Sequence, residues 1–162
     1  MNCFLDRDGI FNIDNHYIGT KDRFIWYEEI FEILDILYLK GYKLKLITNQ
    51  SGISRGLFSL NDFLELSFYF LETLEKKGFE IEIRFCPHLP SDNCFCRKPK
   101  PNMILCHTIT SNDIFIGDKE SDMQAAFLAK IPNRWIISSN PSGPFTRSFC
   151  NHNELVSFLK NK

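Results

Sequence analysis

No apolar run approaches the roughly 18 residues that a membrane-spanning helix needs, so no membrane association is expected. The first apolar run is broken at once by Asp6, Arg7 and Asp8, and no basic segment precedes it, so no secretory leader is expected either. An excess of one charge is also missing. Lys and Arg number 19 against 20 Asp and Glu, for a formal net charge of −1, which removes the global basic field behind nonspecific nucleic-acid binding. No basic stripe with interleaved aromatics appears, and no nucleic-acid partner is expected. Nor is there an insertion of ~50 or more residues in which a separate cap domain could fold.

With 44% hydrophobic and 24% charged residues, disorder and low complexity are excluded, and 162 residues correspond to one domain spanning 1–162. A chain of this size buries roughly 70% of its unfolded surface without disulfides. The six cysteines therefore need another explanation, and reduced thiols in a cytoplasmic protein are expected.

Short apolar runs alternate with helical patterns. Strands are predicted at Cys3–Leu5, Leu44–Thr48, Glu80–Phe85, Ile114–Gly117 and Arg134–Ser138. Helices are predicted from Tyr27 to Lys40, from a Ser59/Asp62 cap to Gly78, around Asn102 to His107, from Glu120 to Lys130 and from Asn153 to Lys160. This alternation predicts an α/β fold, a Rossmann-like parallel sheet with helices on both faces. Ligands in such folds bind at the carboxyl ends of the strands. Those ends carry Asp6-Arg7-Asp8-Gly9, Thr48-Asn49-Gln50-Ser51-Gly52 and Gly117-Asp118-Lys119-Glu120-Ser121-Asp122. Asp6, Asp8 and Asp118 would converge there, and like charges at such range repel unless a cation joins them. Hard oxygen ligands with room for water and phosphate suit Mg²⁺. Each Asp taken singly could instead cap a turn or helix.

A second cluster is local. Cys86, His88, Cys94 and Cys96 fall within eleven residues beside Pro87 and Pro90, and supply three thiolates and an imidazole. That is a closed tetrahedral set for a structural Zn²⁺ in a zinc-binding loop. Cys3, Cys106 and Cys150 read as ordinary core or surface residues.

Phe4-Leu5-Asp6-Arg7-Asp8-Gly9, Ile47 to Gly52, Cys96-Arg97-Lys98-Pro99 and Ile116 to Asp122 resemble, in order and spacing, the four motifs of the haloacid-dehalogenase-like phosphatases. Ile10 stands where Thr or Val is frequent, a conservative apolar change. The resemblance implies an Mg²⁺-dependent phosphatase in which Asp6 is the nucleophile and Asp8 the general acid and base. Thr48 and Lys98 would serve the phosphoryl group, and Asp6, the Asp8 carbonyl and Asp118 would hold the metal. Asp122 would support the metal shell or cap the next helix.

The zinc pattern narrows the resemblance to the branch containing the D-glycero-D-manno-heptose 1,7-bisphosphate and histidinol-phosphate phosphatases. Thr48 to Phe58 and Gly117 to Ala126 are similar to the heptose enzymes, whereas the compact zinc loop is closer to the histidinol enzymes. The two substrate-facing segments outweigh loop length, which changes cheaply. In the heptose reading a small phosphorylated sugar, probed through its second phosphate, would meet Asp14, Asn15, His16, Tyr17, Asn49, Gln50, Ser51, Arg97 and Lys119. The alternatives are a histidinol-phosphate phosphatase and a zinc-stabilised binding module without turnover. A monomer is expected.

Overall fold

The computed structural model describes residues 1–161. Six parallel strands form one sheet: β1 (Asn2–Leu5), β2 (Lys43–Asn49), β3 (Ile81–Cys86), β4 (Ile114–Gly117), β5 (Asn133–Ile137) and β6 (Arg147–Phe149), in the order β3-β2-β1-β4-β5-β6. The connections run outward in opposite directions from β1, so the sheet's topological switch lies between β1 and β4.

Strand alternation divides the core in two. Cys3, Leu5, Leu44 and Leu46 face α1 (Glu29–Leu39), α2 (Leu60–Glu75) and α5 (His152–Lys160), whereas Phe4, Ile47, Phe115 and Ile136 face α3 (Asn102–Leu105) and α4 (Glu120–Leu128). Helices thus cover both faces, as the alternation of elements predicts. No cap is evident among the described residues. None of their helices is long and apolar enough to cross a membrane.

Several predicted boundaries shift for local reasons. Helix α1 begins at Glu29, two residues after Tyr27, which still belongs to a short bridged segment: its N–H donates to the Phe11 carbonyl (2.9 Å) beside the Asn12–Trp26 bridge. The Ser59/Asp62 start of α2 forms a reciprocal cap: the Asp62 N–H donates to Ser59 Oγ (3.1 Å) and the Ser59 N–H to Asp62 Oδ2 (2.7 Å). Helical spacing predicts a buried stripe of Phe63, Leu64, Ser67, Phe70, Leu71 and Leu74 along α2, and the structure corrects it at Leu64 and adds Leu66. Phe63, Leu66, Phe70 and Leu74 are buried, while Leu64 is exposed and Ser67 and Leu71 are half-buried. Strand β6 has no counterpart in the predicted elements, since only Phe149 of its three residues is buried and no alternation can register.

Candidate active site

The carboxyl ends of β1 and β4 meet at the switch point. Asp6 directly follows β1, and its N–H extends the ladder to the Ile116 carbonyl (3.0 Å). Asp118 follows β4, and Asp122 lies in the first turn of α4. Carboxylate oxygens of Asp6, Asp118 and Asp122 all lie within 4.8 Å of one another. Two glycines permit the crowding. A Cβ on Gly9, whose φ is +91°, would stand 2.3 Å from Asp118 Oδ2, and one on Gly117 would stand 2.6 Å from Asp122 Cβ.

Lys98 enters this cluster from the connection that follows β3. Its fully buried ammonium pairs with Asp6 Oδ1 and Asp122 Oδ1, each at 2.7 Å, and donates to the Ile47 carbonyl at 2.6 Å. Asp122 Oδ2 meanwhile caps α4 by accepting from the Lys119 N–H (3.1 Å), so Asp122 both caps the helix and joins the acidic cluster. Lys98, and Lys119 at 3.7 Å from Asp118 Oδ2, do not offset the burial and mutual repulsion of the three carboxylates. Burial, followed by the charges of Asp6 and Asp122, pushes Asp118 up to about 8. Its buried Oδ1 has no hydrogen-bond partner. An all-oxygen cluster with an orphaned buried acceptor is a donor set suited to a hard divalent cation.

The Asp8 carboxylate lies outside that cluster and is held by a different set of donors. It accepts from Arg7 Nε (3.1 Å), Arg7 Nη2, Asn12 Nδ2 (3.1 Å) and Gln50 Nε2 (2.9 Å). The Arg7 guanidinium lies about 6 Å from the Phe24 and Phe63 ring centres and also donates to Gln50 Oε1 and the Ile18 carbonyl. Gln50 Nε2 reaches Thr48 Oγ1 (2.8 Å), which therefore accepts and leaves the Thr48 hydroxyl proton free to donate. Thr48 is buried beneath the cleft floor.

The cleft above has a volume of about 310 Å³, at the lower end of the range for small-ligand pockets. Asp6, Asp8, Lys98 and Asp122 form one part of its lining, with Ser121 and Gly52. Asp14, His16, Tyr17, Ser51, Arg97 and Lys119 form the remainder with Asn49 and Gln50, whereas Asn15 does not reach it. Lys119 Nζ pairs with Asp14 Oδ2 at 2.8 Å. Burial works against the charge on Asp14, but this ammonium outweighs it and holds the carboxyl below its ordinary range. Asn49 is committed to the backbone of Lys98, donating to its carbonyl and accepting from its N–H, both at 3.0 Å.

Cys86, His88, Cys94 and Cys96 gather beside this cleft. Cys86 Sγ is 3.5 Å from His88 Nδ1 and 3.6 Å from Cys94 Sγ, and Cys96 Sγ is 3.3 Å from His88 Nδ1 and 3.6 Å from Cys94 Sγ. Ligands at 2.0–2.3 Å around tetrahedral zinc stand roughly 3.3–3.8 Å apart, so the four side chains fit that ion. Burial opposes a charge on Cys94, yet the N–H of Arg97 and the adjoining thiols draw it down to about 7. Arg97 also donates from Nη1 to the His88 carbonyl (3.2 Å), so the Cys/His loop and the cleft share this residue.

Sequence reasoning passed over Arg7, Asn12 and Ser121. For the first two a signal exists, a cation between two strand-end carboxylates and an amide four residues beyond Asp8. For Ser121 none separates it from an ordinary helix start.

Comparison with models of protein families gives no match. A Helicobacter pylori (strain J99) protein named D-glycero-beta-D-manno-heptose-1,7-bisphosphate 7-phosphatase is 47% identical, over 97% of this chain and 95% of its own. A Campylobacter jejuni protein named as the corresponding alpha-heptose 7-phosphatase is 40% identical over 98% and 95%. Among solved structures, a D,D-heptose 1,7-bisphosphate phosphatase from B. bronchiseptica, complexed with magnesium and phosphate, superposes with a TM-score of 0.84 at 27% identity, covering 99% of each chain. Similarity at this level over nearly the whole length, on the same fold, makes the chain a member of the heptose-1,7-bisphosphate 7-phosphatase family of haloacid-dehalogenase-like phosphatases.

Proposed function

We propose that the protein removes the C7 phosphate of D-glycero-D-manno-heptose 1,7-bisphosphate through an aspartyl-phosphate on Asp6. The observation that carries this reading is the Asp6, Asp118 and Asp122 cluster at the switch point, with Asp8 held separately beside it, in a chain of this family.

The Asp6 carboxylate attacks phosphorus, an Asp6 O–P bond forms, and the bond to the sugar C7 oxygen breaks. Asp8 gives that oxygen its proton. Asp8 then takes a proton from water, whose oxygen attacks phosphorus and breaks the Asp6 O–P bond, releasing inorganic phosphate. The two carboxylates can divide the work because their surroundings differ: Asp6 faces an ammonium, Asp8 a guanidinium and two amides. Lys98 holds the attacking carboxylate in place and brings positive charge beside the phosphoryl group, and the Thr48 hydroxyl is free to donate. Asp6, Asp118 and the Asp8 carbonyl would hold Mg²⁺, which when bound supplies charge neutralisation for the phosphoryl oxygens.

The sugar and its C1 phosphate lie against His16, Tyr17, Ser51, Arg97 and Lys119. With no cap evident among the described residues, selectivity rests on these short loops. Zn²⁺ in the Cys86, His88, Cys94 and Cys96 site is structural, since its four ligands leave no open position. The test is the identity of the product. Phosphorus NMR of the reaction with Mg²⁺ is expected to show heptose 1-phosphate and inorganic phosphate; heptose 7-phosphate as product would overturn the assignment.

A further inference from the structure

The cleft loop that carries His16 and Tyr17 has an unusual backbone. Both residues lie in the left-handed region, with φ of 54° and 49°, a conformation that non-glycine residues adopt only when something holds them there. The core holds the segment only from its far side, where Ile18 is buried and its carbonyl accepts from Arg7, since the side chains of His16 and Tyr17 are exposed. Charged side chains hold the rest. Asp14 Oδ1 accepts from the His16 N–H (3.1 Å), and Lys119 holds Asp14 from across the cleft. On the surface one exposed guanidinium gathers three successive carbonyls: Arg23 donates from Nη2 to Asn15 (2.9 Å) and His16 (3.0 Å), and from Nη1 to Tyr17 (3.2 Å).

Arg23 can do this because its own position is fixed. It ends the 3₁₀ turn Lys21–Arg23, and the next residue, Phe24, is buried edge-on against Trp26 (4.9 Å) and Phe70 (6.0 Å). The clamp therefore ties the loop to the core. A planar fork reaches several acceptors at once, which an ammonium at the same place does not.

We infer that Arg23, which touches neither the cleft nor the reacting atoms, is the positioning residue that sets substrate selectivity by fixing the Asn15–Tyr17 backbone, so that His16 and Tyr17 face the part of a sugar phosphate remote from the scissile bond. This rests on the phosphatase reading above. Without the clamp the two left-handed residues relax toward ordinary conformations, and the remote end of the substrate loses its contacts while the strand-end carboxylates keep theirs.

The test compares the wild-type protein with Arg23→Met and Arg23→Lys, each loaded with Mg²⁺ and Zn²⁺. The substrates are a panel of sugar bisphosphates, headed by heptose 1,7-bisphosphate, and p-nitrophenyl phosphate, which has no remote end. The ratio of kcat/KM for the preferred sugar bisphosphate to that for the aryl phosphate is expected to fall about tenfold in Arg23→Met, mostly through KM. Arg23→Lys should recover part of the loss. Hydrogen exchange at the amides of residues 15–18, read without substrate, should quicken in Arg23→Met. Parallel loss on both substrates, an unchanged ratio, or unchanged exchange would overturn the inference. The wild-type ranking of the panel tests the proposed function separately, because the Arg23 ratio is read on whichever sugar phosphate ranks first.

Discussion

Lys98 is the residue on which the site's charge balance turns. It is buried with its ammonium shared among Asp6, Asp122 and the Ile47 carbonyl, and burial works against its charge while those two carboxylates more than restore it. Removing one member of a buried ion pair strands the other, at a cost of about 3–5 kcal/mol. Lys98→Met is therefore expected to be destabilised by about 3 kcal/mol or more in urea unfolding of the metal-free protein; stability within about 1 kcal/mol of wild type would contradict this charge balance. Asp6→Asn relieves repulsion among three carboxylates but also removes a 2.7 Å partner of the buried Lys98, so its two effects on stability oppose one another. Phosphatase turnover should fall by about a thousandfold or more while the far-UV circular dichroism is retained. Retained turnover would exclude Asp6 as nucleophile. That Asp6 and Asp118 meet was legible because strand ends can be read from hydrophobic patterning; the expected third carboxylate was not, since Asp122 completes the cluster and the Asp8 carboxylate is drawn away by Arg7, Asn12 and Gln50. The work of Arg7 was not, because nothing local reveals that its guanidinium lies near Phe24 and Phe63, or that Gln50 will meet it. Asn49 was legible as a residue of the site but not in its task, since its carboxamide grips the Lys98 backbone from 49 positions away.

Among the elements, α5 ties the C-terminal part of the chain to the loop after β1. His152, its first residue, bonds through Nε2 to the Ile10 carbonyl (2.9 Å) and stacks on Tyr27 at 4.1 Å between ring centres. Burial holds its pKa below the ordinary value, against the opposing pull of the Ile10 carbonyl and Glu29. The unfolded chain consequently binds the proton more readily than the folded one, so stability from this group is complete above a pH of about 6.5 and is lost as pH falls through the folded value. His152→Gln can keep a donor for Ile10 but cannot titrate. Its unfolding free energy should decline less than that of wild type between pH 7.5 and pH 5.5, and parallel declines would contradict the account. Elements with strong local signals were legible, as the Ser59/Asp62 cap of α2 shows. Strand β6 was not, because a three-residue edge strand is defined by pairing Arg147, Ser148 and Phe149 with β5 and not by its own pattern.

At the scale of the whole molecule, the Cys/His cluster beside the cleft and the acidic cluster at its floor are joined by three consecutive residues. Cys96 belongs to the Cys/His cluster, Arg97 bonds the His88 carbonyl and lines the cleft, and Lys98 holds Asp6. Loss of zinc should therefore reach the acidic cluster before it reaches the sheet. Stripping all metal and restoring Mg²⁺ alone is expected to leave activity reduced by about tenfold or more with the far-UV circular dichroism retained. Full activity under those conditions would show that the zinc loop does not position Arg97 and Lys98. The parallel sheet, the Cys/His cluster and two of the three clustered carboxylates could be read from the chain's patterning, but the choice of substrate could not, because strand-end motifs of this kind serve many phosphomonoesters and the proposed selection rests on short loops. The central claim is that this selection favours a heptose bisphosphate. Its most direct test is kcat/KM for phosphate release, measured side by side with Mg²⁺ on the α and β heptose 1,7-bisphosphates and on histidinol phosphate. The account predicts that the better heptose anomer exceeds histidinol phosphate by about a hundredfold, as its second phosphate can meet Arg97 and Lys119; equal values, or a preference for histidinol phosphate, would contradict it.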